Sequence, residues 1–568
     1  MLKNEWILKS YPKEGFFINL NLHKLNIPYH IASKIFWSRD LKNPDDIKNF
    51  ININENNIYS KFTDMKVAIE RINDALQNNE KIGVFGDFDV DGLSGTAIII
   101  RLIENFSGNI YPLIPKREQD GHGLTTKFID AFKDMGVKLI ITVDTGSTSL
   151  KEIDYANSQG IDTIVTDHHL NDGEQPNAYA IINPHEISNN KIQNDYSGSG
   201  VAYKLAEEFY KYKNIELPNY FTSLAALGTI SDQVSLKSEN RKIVSDGLKA
   251  LGKTNLPGLR ELFIISRQNN NSVKINTEFI SYYVAPRLNA PGRLGDSEPS
   301  LQLLITNDEK EAKLLANRIN LQNEDRKKYS AEAWELALPI IEKQKNDLIL
   351  SVDLSGFPLG ILGPIAGKIC EFTSKPAIVY KIDSDFVKAS CRSNENYDLF
   401  ISLSEFSKKF ERFGGHKRAA GFTIKEKLFH DFISKLKNNA FLSKLSTHDT
   451  KEIEIDAEID IEDLTPSLWK FTDLLEPFGV DNHEPVFLIK NLLPNEILKV
   501  GKEKNHIKIT FHRNGKKIES IGFNLAEKIS KIEQIDIVFT LKTNIWREKV
   551  NYQLNLIDIE KSEIKQIF

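Results

Sequence analysis

The sequence has few cysteines and no long apolar run. Only two cysteines, Cys370 and Cys391, occur among 568 residues, and they form no C-x-x-C pair. A disulfide framework is therefore excluded, and neither a zinc knuckle nor an iron–sulfur site is expected. No apolar run approaches the roughly 20 residues that span a bilayer, and the N-terminal residues lack a signal-peptide pattern. We expect a cytoplasmic protein with no membrane partner.

A strong excess of one charge is also missing. Lysine and arginine number 73 and aspartate and glutamate 78, which gives a net charge of −5. Any binding of nucleic acid must therefore come from a local basic face. The chain is too long for one core, so three or four domains of about 150 residues are expected.

Carboxylates and imidazoles follow four apolar segments in the first half of the chain. The stretches are 86–92 (GDFDVDG), 143–146 (VDTG), 166–170 (TDHHL) and 228–232 (GTISD). Three of them end short apolar runs typical of buried parallel strands, and Asp232 ends an apolar helix. The carboxyl ends of parallel strands are where open α/β sheets place their ligands, so these side chains are expected to meet.

The acidic residues of the first stretch predict a cation site. Asp87, Asp89 and Asp91 alternate in one loop and would repel one another unless a cation compensates, although a helix N-cap cluster is the alternative. His168 and His169 are either ligands or core histidines. Carboxylates with an imidazole suit Mn²⁺ or Mg²⁺. Two such ions clamp a phosphoryl group for in-line attack by water, and no serine or cysteine nucleophile with a base partner competes. The pattern predicts a two-metal phosphoesterase.

Alternating strand and helix patterns predict a mostly parallel sheet with helices on both faces. A glycine-free, charge-rich segment predicts one long helix between two α/β units, and the last segment alternates short β patterns with turns such as RNGK at 513–516. The predicted parts are an N-terminal extension (1–60), an α/β domain (61–305), a linking helix (306–345), a second, smaller α/β domain (346–447) and a β-barrel or sandwich (448–568).

In their order, the four stretches resemble the motifs of the DHH phosphoesterase superfamily. The resemblance implies that two Mn²⁺ or Mg²⁺ ions are held by Asp87, Asp89, Asp144, His168 and Asp232, with Asp91 as an optional further ligand. It also implies that His169 contacts the scissile phosphate, and that Asp167 and His416 belong to the catalytic set. The superfamily includes pyrophosphatases and cyclic-dinucleotide phosphodiesterases, so the site alone does not name the substrate.

Later stretches resemble the RecJ family within that superfamily. They are 115–117 (PKR) leading to 121–124 (GHGL), 287–295 (RLNAPGRLG), 390–393 (SCRS), 413–422 (FGGHKRAAGF), 475–479 (LEPFG) and 482–487 (NHEPVF). The stretch with Gly414, Gly415 and His416 supplies mobile backbone amides, an imidazole and two cations before a strand, which suits a phosphate cradle; a glycine-rich helix cap is the alternative. Three departures from the pattern are His122 in place of tyrosine, Pro291 in place of a small residue, and the lack of asparagine after Asp144.

This second resemblance implies a 5′→3′ exonuclease that releases mononucleotides from single-stranded DNA in recombination and repair. It implies an α/β fold with a parallel-sheet DHH catalytic domain, a long linking helix, a second α/β substrate domain and a C-terminal OB-type β-barrel. Single-strand-binding protein and a helicase are the implied partners, and a monomer is expected. Arg293, Ser390 and Arg392 would bind the 5′ phosphate, with Arg117 and Arg287 as second choices. A small-substrate DHH phosphodiesterase and a non-catalytic DNA-binding scaffold remain the alternatives.

The C-terminal segment interleaves basic and aromatic residues, which predicts a nucleic-acid face, although solvated surface lysines are the alternative. The residues are Lys499, Lys502, Lys504, Lys508, Arg513, Lys516, Lys517, Lys542, Arg547 and Lys549 with Phe511, Phe523, Trp546 and Tyr552.

Overall fold

The computed structural model of the chain describes residues 3–11, 29–52, 62–171, 173–186, 195–267, 273–394, 397–437, 450–513, 515–529, 531–546 and 549–562. The chain starts with a strand and two short helices: β1 (Lys3–Leu8), α1 (Tyr29–Trp37) and α2 (Pro44–Ile51). Asn43 caps α2 by accepting a hydrogen bond from the amide of Asp46.

A five-stranded parallel sheet with helices around it follows. Its elements are α3 (Met65–Gln77), β2 (Lys81–Gly86), α4 (Val90–Asn105), β3 (Asn109–Leu113), α5 (Thr126–Asp134), β4 (Val137–Val143), α6 (Leu150–Ser158), β5 (Asp162–Thr166) and β6 (Ala180–Ile182). The strand order is β3-β2-β4-β5-β6, and every neighbouring pair is parallel. The inner strands are apolar and buried because helices cover both faces, as the sequence pattern predicts. The predicted parallel-sheet domain is confirmed.

A set of helices then packs against this sheet. They are α7 (Gly198–Tyr212), α8 (Asn219–Asp232), α9 (Ser238–Leu251), α10 (Pro257–Ser266), α11 (Thr277–Phe279), one π-helical turn (Ile280–Val284), α12 (Ala285–Leu294) and α13 (Glu298–Ile305). Helix α4, which follows the acidic loop, is buried along almost its whole length and packs against α7 and α8. The helix that follows the acidic loop is therefore fixed by its neighbours.

A single helix, α14 (Glu309–Lys343), links this domain to the next. Asp308 caps it by accepting a hydrogen bond from the amide of Glu311. Its first half packs against α10, α12 and α13. Its buried residues Ala333, Ala337 and Ile341 belong to the core of the second domain. The long linking helix expected from the sequence is confirmed.

The second domain is a smaller mixed sheet with helices. Its elements are β7 (Leu350–Asp353), α15 (Leu359–Thr373), β8 (Ala377–Asp383), β9 (Phe386–Arg392), α16 (Leu399–Ser404), β10 (Phe410–His416), β11 (Ala419–Lys425) and α17 (Glu426–Lys437). The strand order is β10-β11-β9-β8-β7, in which only the β7–β8 pair is parallel. This architecture confirms the predicted second α/β domain.

The C-terminal domain is built of strands. Its elements are β12 (Thr450–Ile455), β13 (Ala457–Glu458), α18 (Pro466–Leu474), β14 (Phe487–Leu492), β15 (Glu496–Val500), β16 (His506–Arg513), β17 (Lys516–Gly522), β18 (Ile535–Trp546) and β19 (Lys549–Lys561). Seven strands form one sheet in the order β13-β14-β18-β19-β17-β16-β15. Strands β16 and β17 are antiparallel, with Arg513 opposite Lys516, as the hairpin predicted there requires, and Asn514 lies outside the described residues.

The N-terminal segment packs against this C-terminal domain. Strand β1 pairs in parallel with β12, with Lys3 opposite Thr450 and Leu8 opposite Ile455. Asn4 and Trp6 donate hydrogen bonds to the buried carboxylate of Asp558 at 2.8 and 3.0 Å. Helix α1 contributes to the same apolar core as the C-terminal strands. The predicted domain boundaries stay predictions, but the extension shares its core with the last domain.

None of the helices in the described ranges is long and apolar enough to cross a membrane.

Candidate functional site

Three of the four predicted motifs lie at one edge of the parallel sheet. Asp87, Asp144 and Asp167 follow β2, β4 and β5, which are neighbours in the sheet. Asp144 has a φ of 60°, a left-handed conformation that asparagine and aspartate tolerate better than most residues. The fourth motif joins them from the end of α8, where Asp232 is the last residue. The four stretches therefore lie close together in the fold, as the sequence predicts.

The side chains form three overlapping groups whose possible ligand atoms lie within 4.8 Å of one another. The groups are Asp87 with Asp89 and Asp144, Asp91 with His168 and Asp232, and Asp144 with His168 and His169. Asp144 and His168 each belong to two groups. Nε2 of His168 lies 3.1 Å from Oδ1 of Asp144 and 3.7 Å from Oδ2 of Asp232. We call this set the carboxylate centre.

Two of the acidic residues also hold backbone amides. Asp89 is the N-cap of α4 and accepts from the amides of Asp91 and Gly92 at 3.0 and 3.1 Å. The carboxylate of Asp91 accepts from the amides of Gly198 and Ser199 at 2.6 and 3.0 Å, at the start of α7. The N-cap alternative is thus right for Asp89, which also keeps its place in the centre. Asp91 ties the acidic loop to α7.

Asp167 orients the neighbouring histidine. Its Oδ1 accepts from the amides of His168 and His169 and lies 2.8 Å from Nδ1 of His169, while its Oδ2 accepts from the amide of Ser147 at 2.9 Å. Asp167 is buried, whereas the side chain of His169 is 57% exposed. Since Nδ1 is occupied, Nε2 is the ring nitrogen left to act on a bound molecule.

Close packing by glycine fixes Asp144 in this arrangement. A Cβ at Gly198 would lie 2.5 Å from Cβ of Asp144 and 2.6 Å from its Oδ1. A Cβ at Gly228, on α8, would overlap Oδ1 of Asp91 and Oγ of Ser199. Only glycine at both positions lets α7 and α8 approach the carboxylates this closely.

Burial and mutual repulsion raise the pKa values of three acidic residues in the carboxylate centre. Burial, with repulsion from Asp87 and Asp91, raises the pKa of Asp89 to about 6. Burial, with repulsion from Asp91, raises the pKa of Asp232 to about 7. Burial also raises the pKa of Asp144 well above its ordinary value. Crowded carboxylates that resist ionisation are what a compensating cation would relieve.

The pKa values of His169 and Asp167 are shifted so that both side chains favour their charged forms. Burial alone would lower the pKa of His169, but its hydrogen bond to Asp167 and the charge of that carboxylate raise it to about 9. For Asp167 burial opposes ionisation, yet His169 and the Ser147 amide lower its pKa to about 2. His169 and Asp167 therefore form a charged pair near neutral pH.

The carboxylate centre fits divalent metal ions. Oδ1 of Asp87 and Oδ1 of Asp144 are buried and accept no hydrogen bond from the described residues, although Nε2 of His168, itself a candidate ligand, lies 3.1 Å from the Asp144 oxygen. Unpartnered buried carboxylate oxygens are costly unless a cation takes their lone pairs. The donor set combines carboxylate oxygens with imidazole nitrogens and contains no thiolate, which suits Mn²⁺ or Mg²⁺.

Arginines from three parts of the chain gather beside this centre. The Arg117 guanidinium lies 4.1 Å from the ring centre of Phe88, the residue that separates Asp87 from Asp89 in the sequence. Arg293, at the end of α12, donates to the carbonyl of Gly360 at 3.1 Å. Burial, with repulsion from Arg117, Arg326 and Arg392, lowers the pKa of Arg293 to about 10. We call Arg117, Arg293, Arg326 and Arg392 the arginine cluster.

The predicted residues of the second domain face this cluster. Nη1 of Arg392 lies 3.5 Å from Oγ of Ser390, its neighbour on β9, and a Cβ at Gly363 would lie 3.2 Å from the same Oγ. Burial and the charges of Arg392 and Arg418 lower the pKa of His416, and the charge of His169 in the first domain lowers it further. The second domain thus brings His416 and Arg392 into the surroundings of the carboxylate centre.

Gly414, Gly415 and His416 end strand β10 and lead into the hairpin with β11. The helix-cap alternative is wrong, and the residues lie in a hairpin rather than in a loop before a strand. Gly415 has a φ of 143°, and a Cβ there would approach the carbonyl of Ala419 and Cα of Ala420. The tight hairpin therefore requires glycine at this position.

Arg287 has a different environment. It is buried, its Nε donates to Asn320 on α14 at 2.9 Å and its Nη1 donates to the carbonyl of Tyr283 at 2.6 Å. These bonds fasten α12 to the linking helix, so its guanidinium is already committed.

Some of the basic and aromatic residues predicted to bind nucleic acid are exposed, whereas others already form ion pairs or pack against other side chains. Lys542 pairs with Glu278 and Glu484 at 2.7 and 2.6 Å, and Lys508 and Lys517 both pair with Glu519. Phe511 is a core residue, and Tyr552 packs on Trp469 at 4.8 Å. The exposed members that remain are Lys499, Lys502, Lys504 and Phe523. Arg547 and the side chains of Arg513, Lys516, Trp546 and Lys549 lie outside the described residues.

Sequence reasoning missed Asn183 and Arg326. Asn183 follows β6 and donates to Oγ of Ser147 and to the carbonyl of His169 at 2.8 and 2.9 Å. It is a polar residue at a parallel strand end, so the rule applied to the other motifs could have found it. Arg326 lies in a charge-rich helix and carries no such signal. His122, noted only as a departure, lies 3.6 Å from Asp87 and packs on Phe88.

Three family models match parts of the chain. The N-terminal domain of the DHH family matches residues 81–229, the DHHA1 domain matches 348–440, and the RecJ OB domain matches 455–558. The last match identifies the C-terminal strands as an OB domain, as the resemblance implied.

Whole-chain comparisons give the same result. The single-stranded-DNA-specific exonuclease RecJ of Bacillus subtilis is 33% identical over 542 residues, which cover 94% of this chain and 68% of that relative. The structure of RecJ from Thermus thermophilus in complex with Mn²⁺ superposes with a TM-score of 0.84 and 25% identity, covering 99% of this chain and 80% of that one. A second structure, exonuclease RecJ bound to manganese, has a TM-score of 0.61 and 27% identity, covering 69% of this chain and 99% of that one.

Proposed function

Because this chain belongs to the RecJ family, whose relatives here are named single-stranded-DNA-specific exonucleases, we propose that it is a metal-dependent exonuclease acting on single-stranded DNA. It hydrolyses phosphodiester bonds from the 5′ end and releases mononucleotides, in recombination and repair. The observation that carries the proposal is the carboxylate centre, with two buried oxygens that accept no hydrogen bond from the described residues, beside the arginine cluster.

In this proposal two Mn²⁺ or Mg²⁺ ions bind the carboxylate centre. The ligands are Asp87, Asp89, Asp144, His168 and Asp232. When bound, the ions polarise phosphate oxygens and favour ionisation of an attacking water. Asp91 has both oxygens on backbone amides, so its first task is to hold α7 against the acidic loop, and a second lone pair on each oxygen remains for an ion. Manganese in the related RecJ structures supports the choice of metal.

His169 and His416 act on the phosphate from opposite sides of the cleft. His169, protonated through its pair with Asp167, donates from Nε2 to a phosphate oxygen and stabilises developing negative charge. Asp167 is a positioning residue, since it holds Nδ1 and the local backbone. His416 approaches from the β10–β11 hairpin, with the exposed backbone of Gly414 and Gly415 beside it.

The 5′ phosphate is read by the arginine cluster. Arg293 and Arg392 each offer a planar fork to phosphate oxygens, and Ser390 adds a hydroxyl. Arg117 lies between this pocket and the acidic loop, where it balances the carboxylates. Arg287 supports the pocket through the α12–α14 contact. A terminus held this close to the carboxylate centre sets the cut at the end of the strand.

Single-strand-binding protein and a helicase supply the substrate in this proposal. A duplex must be opened before one strand reaches a cleft closed by the second domain, so a helicase acts upstream of the nuclease. The protein works in the cytoplasm as a monomer, and duplex with blunt ends is a poor substrate.

The test uses a 5′-phosphorylated single strand, its duplex and a dinucleotide, each with Mn²⁺ and with Mg²⁺. The wild type is compared with Asp144→Asn, which tolerates the φ of 60° and keeps the side-chain shape while removing the charge. Mononucleotides from the single strand alone, lost in the variant, support the proposal. Preference for the dinucleotide would indicate a small-substrate phosphodiesterase, and binding without cleavage would indicate a DNA-binding scaffold.

A further inference from the structure

One exposed helical face joins the C-terminal domain to the carboxylate centre. Helix α11, the π-helical turn Ile280–Val284 and α12 form one continuous run. Exposed or part-exposed side chains recur along it at intervals of four, four, three and four residues, at Glu278, Tyr282, Pro286, Asn289 and Arg293. This spacing places them on one side of a helix. We call this side the connecting face.

The two ends of the connecting face are fixed at functional parts of the molecule. At one end, Glu278 forms a 2.7 Å ion pair with Lys542 on strand β18 of the OB domain. At the other end, a Cβ at Gly292 would lie 3.1 Å from the carbonyl oxygen of Phe88, within the acidic loop. The next residue, Arg293, belongs to the arginine cluster. The connecting face therefore lies between the OB domain and the arginine cluster. A DNA strand that contacts both would run along it.

Tyr282 is the most exposed large apolar side chain in the described part of the chain. Its exposed fraction is 75%, whereas its neighbour Tyr283 is 44% exposed and stacks on Phe279 with ring centres 5.8 Å apart. The carbonyl of Tyr283 accepts from Nη1 of Arg287 and from Oγ of Ser266, so the backbone of this turn is anchored. Tyr282 is therefore an exposed ring on a well-supported base, at a π-helical turn of the kind that often marks functional sites.

We propose that Tyr282 is a stacking platform for a base of the single strand, on its path from the OB domain to the carboxylate centre. The inference rests on the proposed exonuclease function and adds a positioning residue to it. Every base has a flat face, so an exposed phenol ring holds a strand without reading its sequence. Tyr282 and Arg293 are eleven residues apart, which is about 16 Å of helix, or about five nucleotides at the stacked spacing of a DNA strand and fewer when the strand is stretched.

The other side chains of the connecting face are compatible with a polyanion. The carboxylate of Glu278 is neutralised by Lys542, and Pro286 and Asn289 add an apolar ring and an amide. The face ends in a guanidinium that suits phosphate. A single strand matches this order of flat, neutral and cationic groups.

The experiment measures kcat/KM with Mn²⁺ for 5′-phosphorylated single strands of 3 and 12 nucleotides. At the stacked spacing, only the longer strand reaches from the arginine cluster to Tyr282. The variants are Tyr282→Ala, Tyr282→Leu and Tyr282→Phe. The matched control is Tyr212→Ala, an exposed tyrosine at the far end of α7. Thermal unfolding is measured for each.

We expect the advantage of the 12-mer over the 3-mer, as a ratio of kcat/KM values, to fall about 5- to 150-fold in Tyr282→Ala, which corresponds to the loss of one base–aromatic stack. The fall should appear mainly in KM. Tyr282→Leu should show a similar loss because it keeps apolar area without a flat ring, whereas Tyr282→Phe and Tyr212→Ala should keep the wild-type ratio.

Two results would overturn the inference, and each is distinct from failure of the proposed function. An unchanged length advantage in Tyr282→Ala, with an active wild type, refutes the stacking role alone. An equal fall of this ratio in Tyr212→Ala would show that the effect is not specific to the position of Tyr282. If the wild type degrades no single strand, the proposed function itself fails.

Discussion

Replacing Gly198 with alanine should disable the carboxylate centre while the fold persists. The new Cβ would lie 2.5 Å from Cβ of Asp144 and 2.6 Å from its Cγ and Oδ1. Carbon atoms pack best at about 3.5 to 4.0 Å, so the Asp144 side chain and the start of α7 must separate by about 1 Å. Asp144 belongs to two of the three possible ligand groups, so this displacement disturbs both.

The expected loss of nuclease activity is about 100-fold or more, because a displacement of about 1 Å in a catalytic group costs about that much. Stability should fall by no more than about 2 to 3 kcal/mol, because overpacking costs about 1 to 3 kcal/mol while alanine in a helix regains up to about 1 kcal/mol over glycine. The matched control is Gly200→Ala, two residues along the same helix. A Cβ there meets Tyr196 and Ser197 at ordinary contact distances of 3.4 to 3.5 Å.

The assay follows release of mononucleotides from a 5′-phosphorylated single strand while Mn²⁺ is titrated, together with thermal unfolding of both variants. Gly198→Ala should need more Mn²⁺ and reach a lower maximal rate, and Gly200→Ala should match the wild type. Equal activity of the two variants would refute the argument that contact with Gly198 fixes Asp144.

Three further outcomes follow from the site. Burial raises the pKa of Asp89 to about 6 and of Asp232 to about 7, and metal ions bind the deprotonated forms, so Mn²⁺ affinity should rise as pH increases from about 5.5 to about 8. Calorimetric titration at several pH values checks this, and a flat profile would contradict it. Asp167→Asn should lower the pKa of His169 from about 9 towards its ordinary value, because the variant loses the paired charge; histidine NMR titration of the variant measures the change. Arg392→Lys keeps the charge but not the planar fork, so the rate preference for a 5′ phosphate over a 5′ hydroxyl should shrink several-fold. An unaltered preference would move the terminus-reading role to Arg293.

The carboxylate centre was predictable because its logic is local and topological. Asp87, Asp144 and His168 each lie just after a short apolar strand, and parallel strands bring such ends to one edge. No contact needs to be known for that inference. The α/β domains, the long linking helix and the strand-rich C-terminal domain were also correctly expected, because the periodicity of apolar residues is a local property of the sequence.

The parts that the sequence could not specify depend on long-range contacts. Nothing near Asp91 in sequence indicates that its oxygens accept from the amides of Gly198 and Ser199. Lys542 resembles a surface lysine of a DNA-binding face, but Glu278, from another domain, already pairs with it. Phe511 alternates with lysines as a stacking residue would, yet the sheet turns it into the core. Composition alone cannot distinguish an exposed DNA-binding residue from one that is ion-paired or buried, because this depends on which element of the fold packs against it.

The pairing of β1 with β12 has a consequence for synthesis of the protein. Residues 3–8 leave the ribosome almost 450 residues before the strand they pair with, and about 550 before Asp558, which binds Asn4 and Trp6. At about 5 to 20 residues per second, this edge strand waits roughly 20 to 90 seconds without a partner. Its first three residues, Lys3, Asn4 and Glu5, are polar or charged, and such residues on an unpaired strand disfavour pairing with other strands. Strand β1 is thus open to mispairing until β12 has been synthesised.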